Sequence, residues 1–206
     1  MEKPYPVQYS VDYPDRPLNR LTTALRLLWV IPIGIVLVFL GSSGARSGSS
    51  VTIPAGGAGV LFVPVLLMLV FRRKYPRWWF DWNLQVARFA NRVAAYLFLM
   101  DDRYPATDAD QSVHLEYVYP DAKTQLNRWM PLIKWFLAIP HYVVLVILFS
   151  GVIFAVMASW LVILFTGRYP VVLFNYVQGV LRWENRVAAY ALALVTDEYP
   201  PFRLEP

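Results

Sequence analysis

Asn91-Arg92-Val93-Ala94-Ala95-Tyr96 recurs without change as Asn185-Arg186-Val187-Ala188-Ala189-Tyr190. An identical hexapeptide in each half of a chain marks a duplicated unit, and the flanking residues extend it. Tyr13-Pro14-Asp15, Leu18-Asn19-Arg20 and Ile31-Pro32 reappear as Tyr119-Pro120-Asp121, Leu126-Asn127-Arg128 and Ile139-Pro140. Arg72-Arg73-Lys74-Tyr75-Pro76 is answered more loosely by Thr166-Gly167-Arg168-Tyr169-Pro170. Arg26 and Lys134 each stand six residues beyond the arginine of Leu-Asn-Arg. The Gly/Ser-rich stretch Gly41 to Gly48 has no counterpart in the second copy and reads as a flexible external loop.

The 206 residues are 57% hydrophobic and only 16% charged. Soluble domains carry about a quarter charged residues, so this balance favours a membrane protein. The apolar residues also fall in four runs: Leu21 to Leu40, Val51 to Phe71, Trp129 to Phe149 and Val152 to Phe165. The first three are about 20 residues long, enough for a hydrocarbon core of roughly 30 Å. The fourth is shorter and follows the third after Ser150-Gly151 alone, so the pair is expected to form a tight helical hairpin, spanning or re-entrant. Met1-Glu2-Lys3-Pro4 does not lead into an apolar h-region, so no cleaved signal peptide is expected.

Basic residues flank one side of these runs: Arg16, Arg20 and Arg26, then Arg72, Arg73, Lys74 and Arg77, then Lys123, Arg128 and Lys134, then Arg168. The positive-inside rule then puts both termini of a multi-pass protein in the cytoplasm. With an even number of membrane segments per unit, the two copies form a parallel repeat about a pseudo-two-fold axis along the membrane normal.

The expected architecture is an all-α integral membrane protein. The first repeat covers residues 1–105, with membrane helices at about 21–40 and 51–71 and an amphipathic helix at about 77–100. The second covers 106–206, with membrane helices at about 129–149 and 152–165 and an amphipathic helix at about 171–195. Ahead of each hairpin the sequence alternates at period two: Val7, Tyr9, Val11 and Tyr13, then Val113, Leu115, Tyr117 and Tyr119. These two strands are expected to pair in a small sheet. Pro32 and Pro140 each remove a backbone donor inside a membrane helix and favour a kink.

Trp78, Trp79 and Trp82 in the first amphipathic helix, and Tyr176 and Trp183 in the second, are aromatics of the kind that anchor at lipid headgroups, as are Tyr96 and Tyr190 of the hexapeptides. Arg88, Asn91, Arg92 and Tyr96 share one helical face, as do Arg182, Asn185, Arg186 and Tyr190. Together with Arg20, Arg26, Arg128 and Lys134, these arginines and asparagines are candidates for holding anionic headgroups by charge-assisted hydrogen bonds. The bland alternative is that the arginines snorkel or pair with Asp15, Asp81, Asp121 or Glu184, which a net charge of +5 permits.

Other chemistries find little support. With no cysteine and two histidines, thiolate chemistry and a Cys/His metal centre are excluded or remote. His141 and Lys134 lie inside an apolar run, but no acidic residue in the four runs completes a proton relay. Asp101-Asp102 and Asp197-Glu198 read as solvated helix ends before Tyr-Pro pairs. Neither a nucleophile elbow nor a P-loop is present, and the basic residues flank apolar runs, which argues against nucleic acid.

At Tyr-Pro-Asp, Leu-Asn-Arg, Ile-Pro and Asn-Arg-Val-Ala-Ala-Tyr, each present twice, the sequence resembles the bacterial membrane-protein family known as domain of unknown function 4389, from Tyr5 to Pro200. The resemblance implies a duplicated helical protein of the bacterial inner membrane and carries no reaction, cofactor or catalytic residue. The expected function is therefore a non-enzymatic scaffold or accessory subunit, with no cofactor. Its expected partners are anionic membrane lipids and either further copies of itself or other membrane-protein subunits. A lipid-handling or transport protein, binding headgroups or thinning the bilayer, is the alternative.

Overall fold

The computed structural model describes residues 5–26, 32, 63–107 and 111–206. Most of the expected membrane helices at 21–40 and 51–71, and the Gly/Ser stretch between them, lie outside the described residues. The described chain is mostly helical. It runs β1 (Val7–Val11), α1 (Arg20–Ala24), α2 (Val63–Arg72), α3 (Arg77–Leu97), β2 (Val113–Tyr117), α4 (Met130–Leu137), α5 (Ile139–Thr166) and α6 (Val171–Ala191).

β1 and β2 form an antiparallel two-stranded sheet with Tyr9 opposite Leu115 at its centre. The period-two pattern is what lets it pack: Val7, Tyr9 and Val11 are buried with Val113 and Leu115, while Gln8, Ser10, His114 and Glu116 face outward. Burying one such side chain is worth about 1.5–3 kcal/mol. A lone hairpin-sized sheet has too little of this to stand alone, and here α3 and α6 cover it.

α3 and α6 start the same way. Each follows a Tyr-Pro pair whose proline sits in extended geometry as the N-cap, at φ −65° for Pro76 and −62° for Pro170. Each ends just before a left-handed residue, Leu99 at φ 66° and Leu194 at φ 55°. There Met100 N bonds back to Ala95 O, and Val195 N to Ala189 O, closing the helix ends.

The expected hairpin from Trp129 to Phe165 is corrected: α5 runs unbroken through Ser150-Gly151 for 28 residues, about 42 Å. Ser150 Oγ donates to Ile147 O one turn back, so the serine is satisfied within the helix. Gly151 is there for space, because a Cβ at that position would lie 2.4 Å from the Tyr176 hydroxyl oxygen. The break falls instead at Ala138, between α4 and α5. Pro140, lacking an N–H, cannot bond to the carbonyl one turn earlier.

Tyr176 donates to Leu148 O at 3.0 Å and the Trp183 indole to His141 Nδ1 at 3.0 Å. The paired positions shift by seven residues in opposite directions, so α5 and α6 run antiparallel. His141, Leu145, Val152, Ala155, Ser159 and Ile163 form the buried stripe of α5. Its other face exposes Val146, Ile147, Phe154, Met157 and Phe165. Among the described residues, Met130–Thr166, which is α4 and α5 taken together, is the one helical stretch long and apolar enough to cross a membrane.

Candidate functional site

In a two-stranded ladder, every second residue turns its carbonyl away from the partner strand and leaves it without a bond. Pro6 bonds to Val118, and Asp12 to Ser112, so Tyr9 and Leu115 fall at the outward-pointing positions. Arg182 Nε donates to Tyr9 O at 3.0 Å and Arg88 Nε to Leu115 O at 2.9 Å. Each arginine thus satisfies one central carbonyl at opposite edges of the sheet.

The neighbouring residues of both basic faces are also engaged by protein. Asn91 Nδ2 donates to Asn185 Oδ1 at 2.8 Å, and Asn185 Nδ2 to Asn91 Oδ1 at 2.7 Å. Arg92 Nη1 donates to Ala106 O at 2.8 Å, and Arg186 reaches Arg203 O and Glu205 O. Arg182 Nη1 adds a bond to Leu204 O, and Arg128 Nε one to Val70 O. Arg20 is exposed in the first turn of α1, beside Gly167. Of the aromatics, Trp78 and Trp82 are exposed and Trp79 and Tyr176 partly buried, while Tyr96, Trp183 and Tyr190 belong to the core.

Two buried cations have matched surroundings. Arg26 stacks over the Tyr96 ring and donates through Nη1 to Tyr96 O at 2.7 Å and Asp101 O at 2.8 Å. Lys134 lies over the Tyr190 ring and donates to Thr196 O at 2.6 Å. Lys134 also meets the Asp197 carboxylate at 2.7 Å. Asp197 in turn accepts from Asn127 N, tying the start of the third apolar run to the tail of the chain. His141, buried beside them, accepts from Trp183 and stacks on Phe202.

Several of these contacts join residues between Asn127 and Glu205 to one another. Residues 128–203 match the family model described as domain of unknown function (DUF4389). No curated protein and no solved structure matches the chain. The DUF4389 segment supplies α4, α5 and α6, and hence Lys134, Arg182, Asn185 and Arg186.

Four openings among the described residues adjoin the segment. A polar cleft of about 430 Å³ is lined by Arg73, Lys123 and Arg128, with Asp197 on its wall. An apolar groove of about 510 Å³ lies between α1 and α5, with Arg26 in its lining. Two further apolar openings, of about 290 and 480 Å³, share Glu184. Burial pushes the Glu184 carboxyl up to about 7, and among the described residues no ion pair reaches it. In the sequence Glu184 reads only as a partner for arginine. The signal that reading misses is that Glu184 stands immediately before the second hexapeptide, where the first copy has Ala90.

Among the described residues no three His, Asp or Glu side chains cluster as metal ligands would. Asp101 accepts from Ser112 Oγ, and Asp102 pairs with Arg16.

Proposed function

We propose that this chain is a non-enzymatic integral membrane protein of the bacterial cytoplasmic membrane, acting as a scaffold or accessory subunit. The observation that carries the reading is the outer face of α5. Val146, Ile147, Phe154, Met157 and Phe165 are left uncovered along a helix whose inner stripe is locked against α6. So much contiguous apolar surface suits lipid or another membrane protein as its surroundings.

Duplication about a pseudo-two-fold axis is the second part of the proposal. The reciprocal bonds support it. Tyr13 donates to Tyr169 O and Tyr119 to Tyr75 O, both at 2.5 Å, and these four tyrosines are motif partners across the two halves. The exchanges of Arg88 and Arg182 with the sheet, and of Asn91 with Asn185, follow the same symmetry. The Arg73-Lys123-Arg128 cleft faces anionic headgroups at the cytoplasmic leaflet, where both termini lie.

Native mass spectrometry of the full chain extracted with its lipid tests this reading. A further protein subunit, or a second copy, in fixed ratio is expected. Recovery of the protein as a monomer from the aqueous fraction without detergent would overturn it. Lipid handling is the second reading, favoured by the groove between α1 and α5. It predicts lipid movement above empty vesicles after reconstitution.

A further inference from the structure

We propose that the groove between α1, the end of α3 and α5 binds a single acyl chain whose anionic head is held by Arg26. The inference rests on the membrane reading above and adds a ligand to it.

Arg26 is 2% exposed, and among the described residues its buried Nε and Nη2 atoms have no hydrogen-bond partner. Nη1 is already committed to Tyr96 O and Asp101 O. The free atoms are the two on the side-on edge of the guanidinium, the fork that takes a carboxylate or phosphate through parallel bonds.

The comparison with Lys134 identifies what is missing. Both cations lie over the tyrosine of an Asn-Arg-Val-Ala-Ala-Tyr helix and donate to a carbonyl just beyond that helix. Lys134 has the Asp197 carboxylate as its counter-ion. The acids nearest Arg26 are used elsewhere. Asp102 pairs with Arg16, and Asp101 takes Ser112 and Arg103. Asp101 and Asp102 act on Arg26 only from a distance, and among the described residues no acidic side chain pairs with it directly, so an anion bound to its free edge would add the missing direct partner.

The shape of the groove selects the rest of the ligand. Its volume is about 510 Å³, and Ala24, Leu97, Val156, Met157, Trp160 and Leu161 make its walls apolar. Thr23 Oγ1, buried and unpartnered in the same lining, offers a second donor to the head. An inorganic anion would gain nothing from these walls, whereas an acyl chain fills them. A fatty-acid carboxylate and a lysophospholipid phosphate share the required chemistry.

The test uses the full chain, delipidated in mild detergent and titrated with oleate, oleoyl-lysophosphatidylglycerol and oleyl alcohol, with occupancy read by native mass spectrometry. At least one anionic ligand is expected to bind tenfold or more tightly than the alcohol, and the tighter of the two identifies the head. Arg26→Lys keeps the charge but loses the fork. Ala158→Trp fills the groove from the α5 side and leaves the Arg26 side chain in place. Each is expected to weaken anion binding at least tenfold. Equal binding of the alcohol, or folded variants that bind as the parent does, would overturn the site. That result in a protein still extracted from membrane leaves the membrane reading standing, whereas recovery from the aqueous fraction removes both.

Discussion

The side-chain amides of Asn91 and Asn185 hold each other through two hydrogen bonds, each nitrogen donating to the other's oxygen at 2.8 and 2.7 Å. Both residues are buried, and both also donate one turn back along their own helices, to Ala87 O and Leu181 O. The pair therefore clamps α3 to α6 with no polar group spare.

Replacing either asparagine by alanine leaves its partner unsatisfied in the core and is expected to cost about 1–3 kcal/mol. Removing both leaves no orphan. The Asn91→Ala/Asn185→Ala double variant is expected to lose less than the sum of the singles, by at least about 0.5 kcal/mol. Thermal or denaturant unfolding in detergent, followed by tryptophan emission, measures all three. Additive losses would mean that the two amides act independently.

Gly151 and Tyr176 form a second coupled pair. Gly151→Ala pushes a methyl into the tyrosine hydroxyl and is expected to destabilise by roughly 1–3 kcal/mol. Tyr176→Phe loses the bond to Leu148 O, worth about 1 kcal/mol, but opens the space. Combining the two is expected to recover part of the alanine penalty in the same unfolding assay. A turn at Ser150-Gly151 would instead make both changes nearly silent.

Glu184 sets a pH dependence with a definite sign. Burial pushes its carboxyl up to about 7, above the ordinary value of 4.5. The folded state then holds the proton more tightly, and the contribution to stability is present below about pH 4.5 and is lost as pH rises through 7. Glu184→Gln is expected to be more stable than the parent above pH 7, by roughly 1–3 kcal/mol, and to flatten the decline between pH 5 and 8. Melting curves of both proteins across that range check it. A parent that gains stability as pH rises through the window, with the glutamine variant following it, would count against the assignment.

The chain has no cysteine, so single thiols report position directly. Ser150 lies at the middle of α5 on an exposed face, and Ser150→Cys is expected to resist water-soluble thiol reagents until the membrane is dissolved. Leu18 N donates to Gly167 O just past the end of α5, and Lys134 of α4 pairs with Asp197, so both ends of the α4–α5 stretch bind segments that the positive-inside reading puts in the cytoplasm. Lys123→Cys and Arg168→Cys are accordingly expected to react with an impermeant reagent in inverted vesicles and not in intact cells. Reaction of one alone in cells would mean that α5 crosses the bilayer.

Much was legible in the residues themselves because its causes are local. Tyr75-Pro76 and Tyr169-Pro170 start helices wherever the chain goes next, since proline restricts its own φ and the geometry of the residue before it. Alternation from Val7 to Val11 and from Val113 to Tyr117 identifies strands, because successive side chains in a strand point to opposite faces. The apolar stretch was equally visible, as was the likeness to DUF4389, which the family model matches over residues 128–203.

Tertiary structure decided what depended on residues far apart in the chain. Ser150-Gly151 is as compatible with a turn as with a helix; in the fold the helix continues, and the Tyr176 hydroxyl, arriving on a neighbouring helix, takes the space that a Cβ at Gly151 would need. Spacing placed Arg88 and Arg182 on helical faces, but only sheet formation created the outward carbonyls of Leu115 and Tyr9 that they satisfy. Arg26 and Lys134 occupy matching places in the sequence, and only the folded chain brings Asp197 to one while Arg16 takes Asp102 from the vicinity of the other. A buried charge is defined by its neighbours in space, and those neighbours come from elements that a local reading cannot bring together.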